Sequence, residues 1–88
     1  MKKTLVRFSN KHSDARQPLL AWHEEAERAD WEKPNDVIEE YPYTDIIDGK
    51  RVVFNIKGNK YRLVADVEYK FKKVFIVWIG KKEMFILV

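Results

Sequence analysis

The hydrophobic period changes once along the chain, near Tyr43, and this change limits the folds open to it. Between Ser13 and Ala29 the apolar residues Leu19, Leu20, Trp22, Ala26 and Ala29 recur at three- and four-residue steps, which places them on one side of a helix. Glu24, Glu25, Glu27 and Arg28 take the other side, where a solvated face is the simplest reading. Ser13 or Asp14 is the expected cap, and Pro18 fits only within the first turn. A shorter helix with Leu5 and Phe8 turned inward is expected upstream. Pro34 can open another, Asn35 to Glu40, which Pro42 must stop. Past Tyr43 the repeat becomes two: Val52, Phe54 and Ile56 alternate with Val53, Asn55 and Lys57. Gly58-Asn59 is a two-residue hairpin signal. The next strand, Lys60 to Tyr69, sets Tyr61, Leu63, Ala65 and Val67 against Arg62, Val64, Asp66 and Glu68. Val74 to Ile79 is so uniformly apolar that it reads as a central strand buried on both sides. The pattern predicts an α+β fold, with N-terminal helices over about 3–41 packed on a small antiparallel sheet over about 46–80, and a short tail at 81–88.

Eighty-eight residues with 45% hydrophobic side chains leave room for one compact domain, 1–88, around one core. With no cysteine there is no disulfide framework, thiolate zinc site or cysteine nucleophile, and a reducing cytoplasm is the expected setting. No apolar run approaches the roughly 20 residues of a membrane span, and the N-terminus lacks a signal core. The net charge of +3 conceals an asymmetry. Residues 1–44 hold 7 Lys/Arg against 9 Asp/Glu, while residues 45–88 hold 10 against 5, so the halves carry −2 and +5. A basic half interleaved with aromatics suits a polyanion, although a lysine-covered solvated sheet has the same composition.

No Gly-rich phosphate loop, serine nucleophile motif or His/Asp/Glu metal spacing is present, so neither a metal nor a nucleotide cofactor is expected. His12 and His23 invite an acid/base pair, but isolated helix histidines more often serve packing or lie at the surface. The informative stretch is Arg51-Val-Val-Phe-Asn-Ile-Lys-Gly-Asn-Lys-Tyr-Arg62. Alternation and a tight turn should direct Arg51, Asn55, Lys57, Lys60 and Arg62 to one sheet surface and cluster four cations there. Arg62, flanked by apolar Leu63 and Val64, should be held rigidly, which suits a guanidinium that grips phosphate at two points.

Asp-Ala-Arg-Gln-Pro-Leu-Leu-Ala-Trp at 14–22, Ala-Asp-Trp at 29–31 with Pro34, and Arg-Val-Val-Phe-Asn-Ile-Lys-Gly-Asn-Lys-Tyr-Arg-Leu-Val at 51–64 resemble the HigB toxins of the RelE superfamily. The resemblance runs over roughly residues 1–80. It implies a RelE-like two-layer domain and a small endoribonuclease that cleaves mRNA on the ribosome without a cofactor. A cognate HigA-like antitoxin would hold it inactive. Arg62 matches the superfamily's phosphate-gripping arginine, and Lys57 and Lys60 fall where the superfamily places basic residues for backbone binding and proton transfer. The catalytic group implied is Arg62, Lys57 and Lys82, with Arg51, Asn55, Lys60 and Lys81 as RNA contacts. The C-terminus departs from the family pattern. Where HigB-like chains carry Gly-Thr-His-x-Glu-Tyr-Asp, this one reads Gly80-Lys81-Lys82-Glu83-Met84-Phe85, closer to a RelE-type Gly-Lys-Arg-Glu. The alternative implied is a toxin-fold protein that binds RNA or antitoxin without cleavage. Phe85 to Val88 is expected to be an apolar tail needing cover.

Overall fold

The switch of period appears as a switch of architecture in the computed structural model, which describes residues 2–84. The helical part comprises α1 (Lys2–Lys11), a 3-10 turn (Ser13–Ala15), α2 (Arg16–Arg28) and α3 (Pro34–Glu40). The strands follow as β1 (Asp45–Ile46), β2 (Arg51–Ile56), β3 (Tyr61–Glu68) and β4 (Lys73–Lys81), then a 3-10 turn (Lys82–Met84). The fold is therefore α+β, with helices followed by a four-stranded antiparallel sheet in the order β1-β2-β3-β4. No helix is long and apolar enough to cross a membrane among the described residues.

The helices bury the side that their spacing predicts: Leu5 in α1, and Leu19, Trp22 and Ala26 in α2. Pro18 lies in the first turn of α2, where its missing N–H costs nothing. Buried Ser9 is satisfied locally, its hydroxyl donating to the Leu5 carbonyl at 2.6 Å. Against this side the sheet presents Val52, Phe54, Ile56, Tyr61, Leu63, Ala65 and Val67, all buried. Phe54 is at the centre, its ring 5.3 Å from those of Trp22 and Tyr41 and 6.2 Å from Trp31. Each such buried apolar side chain contributes about 1.5–3 kcal/mol.

Several expectations need correction. The cap predicted at Ser13 or Asp14 does not form, and Ala15 precedes α2 with no side-chain cap. Asp14 is drawn away to two residues of the sheet region. The β2–β3 ladder closes at Ile56↔Tyr61, so the connection has the four residues 57–60 rather than two. Lys57 (φ 53°) and Gly58 (φ 68°) both adopt the left-handed conformation there, and the Lys60 N–H donates to the Lys57 carbonyl at 3.2 Å.

β4 is not a central strand. Among the described residues it pairs only with β3, and Phe75 and Val77 are 56% and 46% exposed. Val74, Ile76 and Ile79 pack against the core from the helical side, while the opposite face carries no helical layer among the described residues. The register also slips: Val64 faces Trp78 but Ala65 faces Ile76, leaving Val77 as the extra residue of a β-bulge. The slip sends Trp78 and Gly80 to the open face of the sheet. The tail Phe85 to Val88 lies outside the described residues.

Candidate functional site

Register orders the open face into rows that cross the strands. The row nearest the 57–60 turn is Asn55, Arg62 and Gly80. Behind it comes an apolar row of Val53, Val64 and Trp78, and then Arg51, Asp66 and Phe75. Val53 and Val64 are buried although they face away from the helices, so Arg62 emerges beside an apolar floor. Gly80 is needed at its place, because a Cβ there would come within 2.6 Å of the Trp78 ring. Arg62 itself is half-buried, as a strand-held guanidinium should be.

Asn55 is tied sideways: its amide donates to the Tyr43 carbonyl at 2.7 Å, which also fixes which end of the amide is nitrogen. That bond anchors the segment before β1 along a hollow of about 470 Å³, lined by Tyr41, Tyr43, Thr44, Asn55, Gly58 and Asn59 among others. Tyr43, at this hollow, is 85% exposed. On the other flank of the turn, a second hollow of about 470 Å³ is lined by Asn59, Lys60, Lys81, Lys82 and Glu83. The Lys82 N–H donates to the Lys60 carbonyl at 2.9 Å, so the end of β4 is fixed against the turn.

The four cations expected in one cluster are divided. Arg51 is in the third row, four residues along β3 from Arg62, about 13 Å away. There it forms a fork on Asp66, with Nε and Nη2 at 2.8 and 3.1 Å from the carboxylate oxygens. Lys60 leaves the strand alternation in the turn and reaches Asp14 at 2.5 Å. The same carboxylate accepts from the Tyr61 hydroxyl at 2.6 Å. Lys60 and Tyr61 hold the Asp14 carboxyl down to about 2, the Lys60 hydrogen bond being the larger cause. In return Asp14 raises Lys60, which opposes any role as a neutral base and suits a lasting cation. Lys57, Lys81 and Lys82 are exposed and form no ion pair among the described residues. The structure thus brings together Asn55 and Arg62 in one row, with Lys57 in the adjoining turn and Lys60, Lys81 and Lys82 around one hollow. Arg51 stands apart.

The histidines do not form a pair. His12 stacks on Phe8 at 4.4 Å and meets the Tyr61 ring edge-on at 5.5 Å, on the helical side of the sheet. His23 is buried, with Glu27 3.0 Å away. Asp14 and Tyr43 were not foreseen as parts of this region. Asp14 lies 46 residues from Lys60, and no local spacing signals such a contact.

The first hollow offers an aromatic face and Asn55, the cross-strand partner of Arg62, and the second offers three lysines, an arrangement suited to a phosphate-bearing chain with exposed bases. No curated protein sequence matches the chain. A family model does, over residues 15–83, from the 3-10 turn that carries Ala15 to the turn after β4. On that match the chain belongs to the HigB_toxin family, described as the RelE-like toxic component of a toxin-antitoxin system.

Proposed function

We propose that this toxin is a metal-independent endoribonuclease that cleaves mRNA on the ribosome, in the cytoplasm, and that its single 1–88 domain carries the whole site. The observation that carries the reading is the Asn55–Arg62–Gly80 row, an arginine held on a strand at the open face beside Asn55, which lines the first hollow. Among the described residues no three His, Asp or Glu side chains converge as metal ligands. The chemistry fitting such a site is internal transfer. The ribose 2′-oxygen forms a bond to the adjacent phosphorus and loses its proton, the bond from phosphorus to the 5′-oxygen breaks, and that oxygen takes up a proton. The products are a cyclic phosphate and a 5′-hydroxyl.

Negative charge grows on the phosphate as the fifth ligand arrives, and Arg62 can give that oxygen pair two parallel hydrogen bonds. Lys57 and Lys82, which form no ion pair among the described residues, supply further positive charge. Asn55, Lys60 and Lys81 guide the backbone of the substrate, and Arg51 acts at a distance as a secondary contact. The test is purified protein incubated with mRNA, with and without ribosomes, and the new 5′ ends mapped. Arg62→Ala should slow cleavage about a hundredfold or more, and Arg62→Lys should recover little, because a lysine offers one mobile point charge. A rate within about twofold of the wild type overturns the assignment.

One observation favours a second reading. Neither His12 nor His23 faces the Arg62 row, and where HigB-like chains carry their C-terminal histidine and tyrosine this sequence has Lys82 and Phe85. A toxin-fold protein that retains RNA on its basic surface without cutting it would retard RNA and leave it intact in the same assay.

A further inference from the structure

Among the described residues, the exposed apolar surface is concentrated in one place. Phe71, Phe75, Val77 and Met84, at 64%, 56%, 46% and 66% exposure, are four of the seven large exposed hydrophobic residues described. They fall on the β3–β4 hairpin, on β4 and just beyond it. From Lys70 to Lys82 the chain holds five lysines and no carboxylate. Lys72 is turned back onto Asp30 at 2.8 Å, and the Lys70 ammonium lies 5.6 Å from the Phe71 ring centroid, so the cations frame the apolar groups. β4 is also an edge strand among the described residues, with main-chain groups on its outer side available to a partner.

We propose that the β3–β4 hairpin and the outer side of β4 are the docking surface for an acidic, apolar-studded segment of the antitoxin. The antitoxin as partner rests on family membership and not on the cleavage reading. Charge selects this occupant over a second copy of the chain. Antiparallel pairing of two β4 strands about Val77 would set Lys73 opposite Lys81 twice, and like charges directly opposite are destabilising. The aliphatic Val77 and Met84 favour a protein over RNA, since they offer nothing to phosphate and little to a base. Phe75 lies in the row of Arg51 and Asp66, about 13 Å along the sheet from the Arg62 row. Docking and RNA binding should therefore be separable by mutation.

The experiment titrates the cognate antitoxin against the wild type, Phe71→Ser/Phe75→Ser and Lys70→Glu/Lys73→Glu, with RNA retardation and thermal melting measured on each. Both double variants should lose at least about tenfold in antitoxin affinity. The wild-type melting temperature and RNA retardation should be retained. Unchanged antitoxin affinity overturns the proposal. So does an equal loss of RNA binding, which would make the patch an RNA surface, or a wild-type dimer that the serine variant dissolves, which would mean a second copy covers it. Hydrogen exchange on the unaltered complex decides the matter should a variant fold poorly: amides 71–77 gain protection if the antitoxin docks there, and no gain overturns the proposal.

Discussion

The two sides of the sheet are built from the same three long strands, yet they are chemically opposed. On the helical side Phe54, Leu63 and Val67 are sealed, and on the open side their neighbours Asn55, Arg62 and Asp66 keep contact with solvent. Adjacent residues thus belong to different tasks, and the effect of a substitution depends on its parity in the strand more than on its place in the sequence.

This contrast is broken most severely at its centre. Phe54→Ala, which removes the ring packed among Trp22, Trp31 and Tyr41, should cost about 3–5 kcal/mol in urea unfolding. For the next residue, Asn55→Ala should cost only about 1 kcal/mol, that of the lost bond to the Tyr43 carbonyl. Equal losses would show that the open side is as sealed as the other. Gly80→Ala probes the open side alone. The added methyl meets the Trp78 ring at 2.6 Å, and overpacking of this kind should cost about 1–3 kcal/mol in the same assay. A neutral result would mean that Trp78 swings aside, and cleavage by that variant would then report whether the ring's position matters to Arg62.

The smallest effect concerns the tie between the layers. The Asp14 carboxyl sits at about 2 against an ordinary 3.8, so its contribution is fully present above the ordinary value and disappears as pH falls from about 4 towards 2. Asp14→Asn should therefore be less stable than the wild type at neutral pH, and the difference should narrow through that acid window. A constant difference from pH 7 to pH 2, followed by thermal melting, would mean that the carboxylate charge is not what Lys60 and Tyr61 recognise.

Much of this was legible in the sequence. The helices around Leu19 and Trp22, the alternation of β2 and β3, and the opposite orientation of Tyr61 and Arg62 follow from periodicity, which records burial directly. β4 misled because an apolar run reads alike whether it is covered by its own fold or left bare. The bulge at Val77 has no composition of its own, and β1 is too short to have a period. In the site, Asn55 and Arg62 share a face as their parity predicts. Lys60 does not join them, because turn residues escape alternation and its carboxylate partner comes from the distant start of the chain.

The bulge makes the pairing offset of β4 a functional quantity in its own right. Every residue after Val77 owes its side of the sheet to that one uncounted position. Closing the bulge, so that Val77 itself paired with Val64, would alter no residue's chemistry, but it would exchange the sides of Trp78 and Ile79 and withdraw Gly80 from Arg62. A homologous strand transplanted into this scaffold would thus have to deliver its residues to the same partners on β3 before its composition mattered, and a slip that closed the bulge would be harsher than many substitutions.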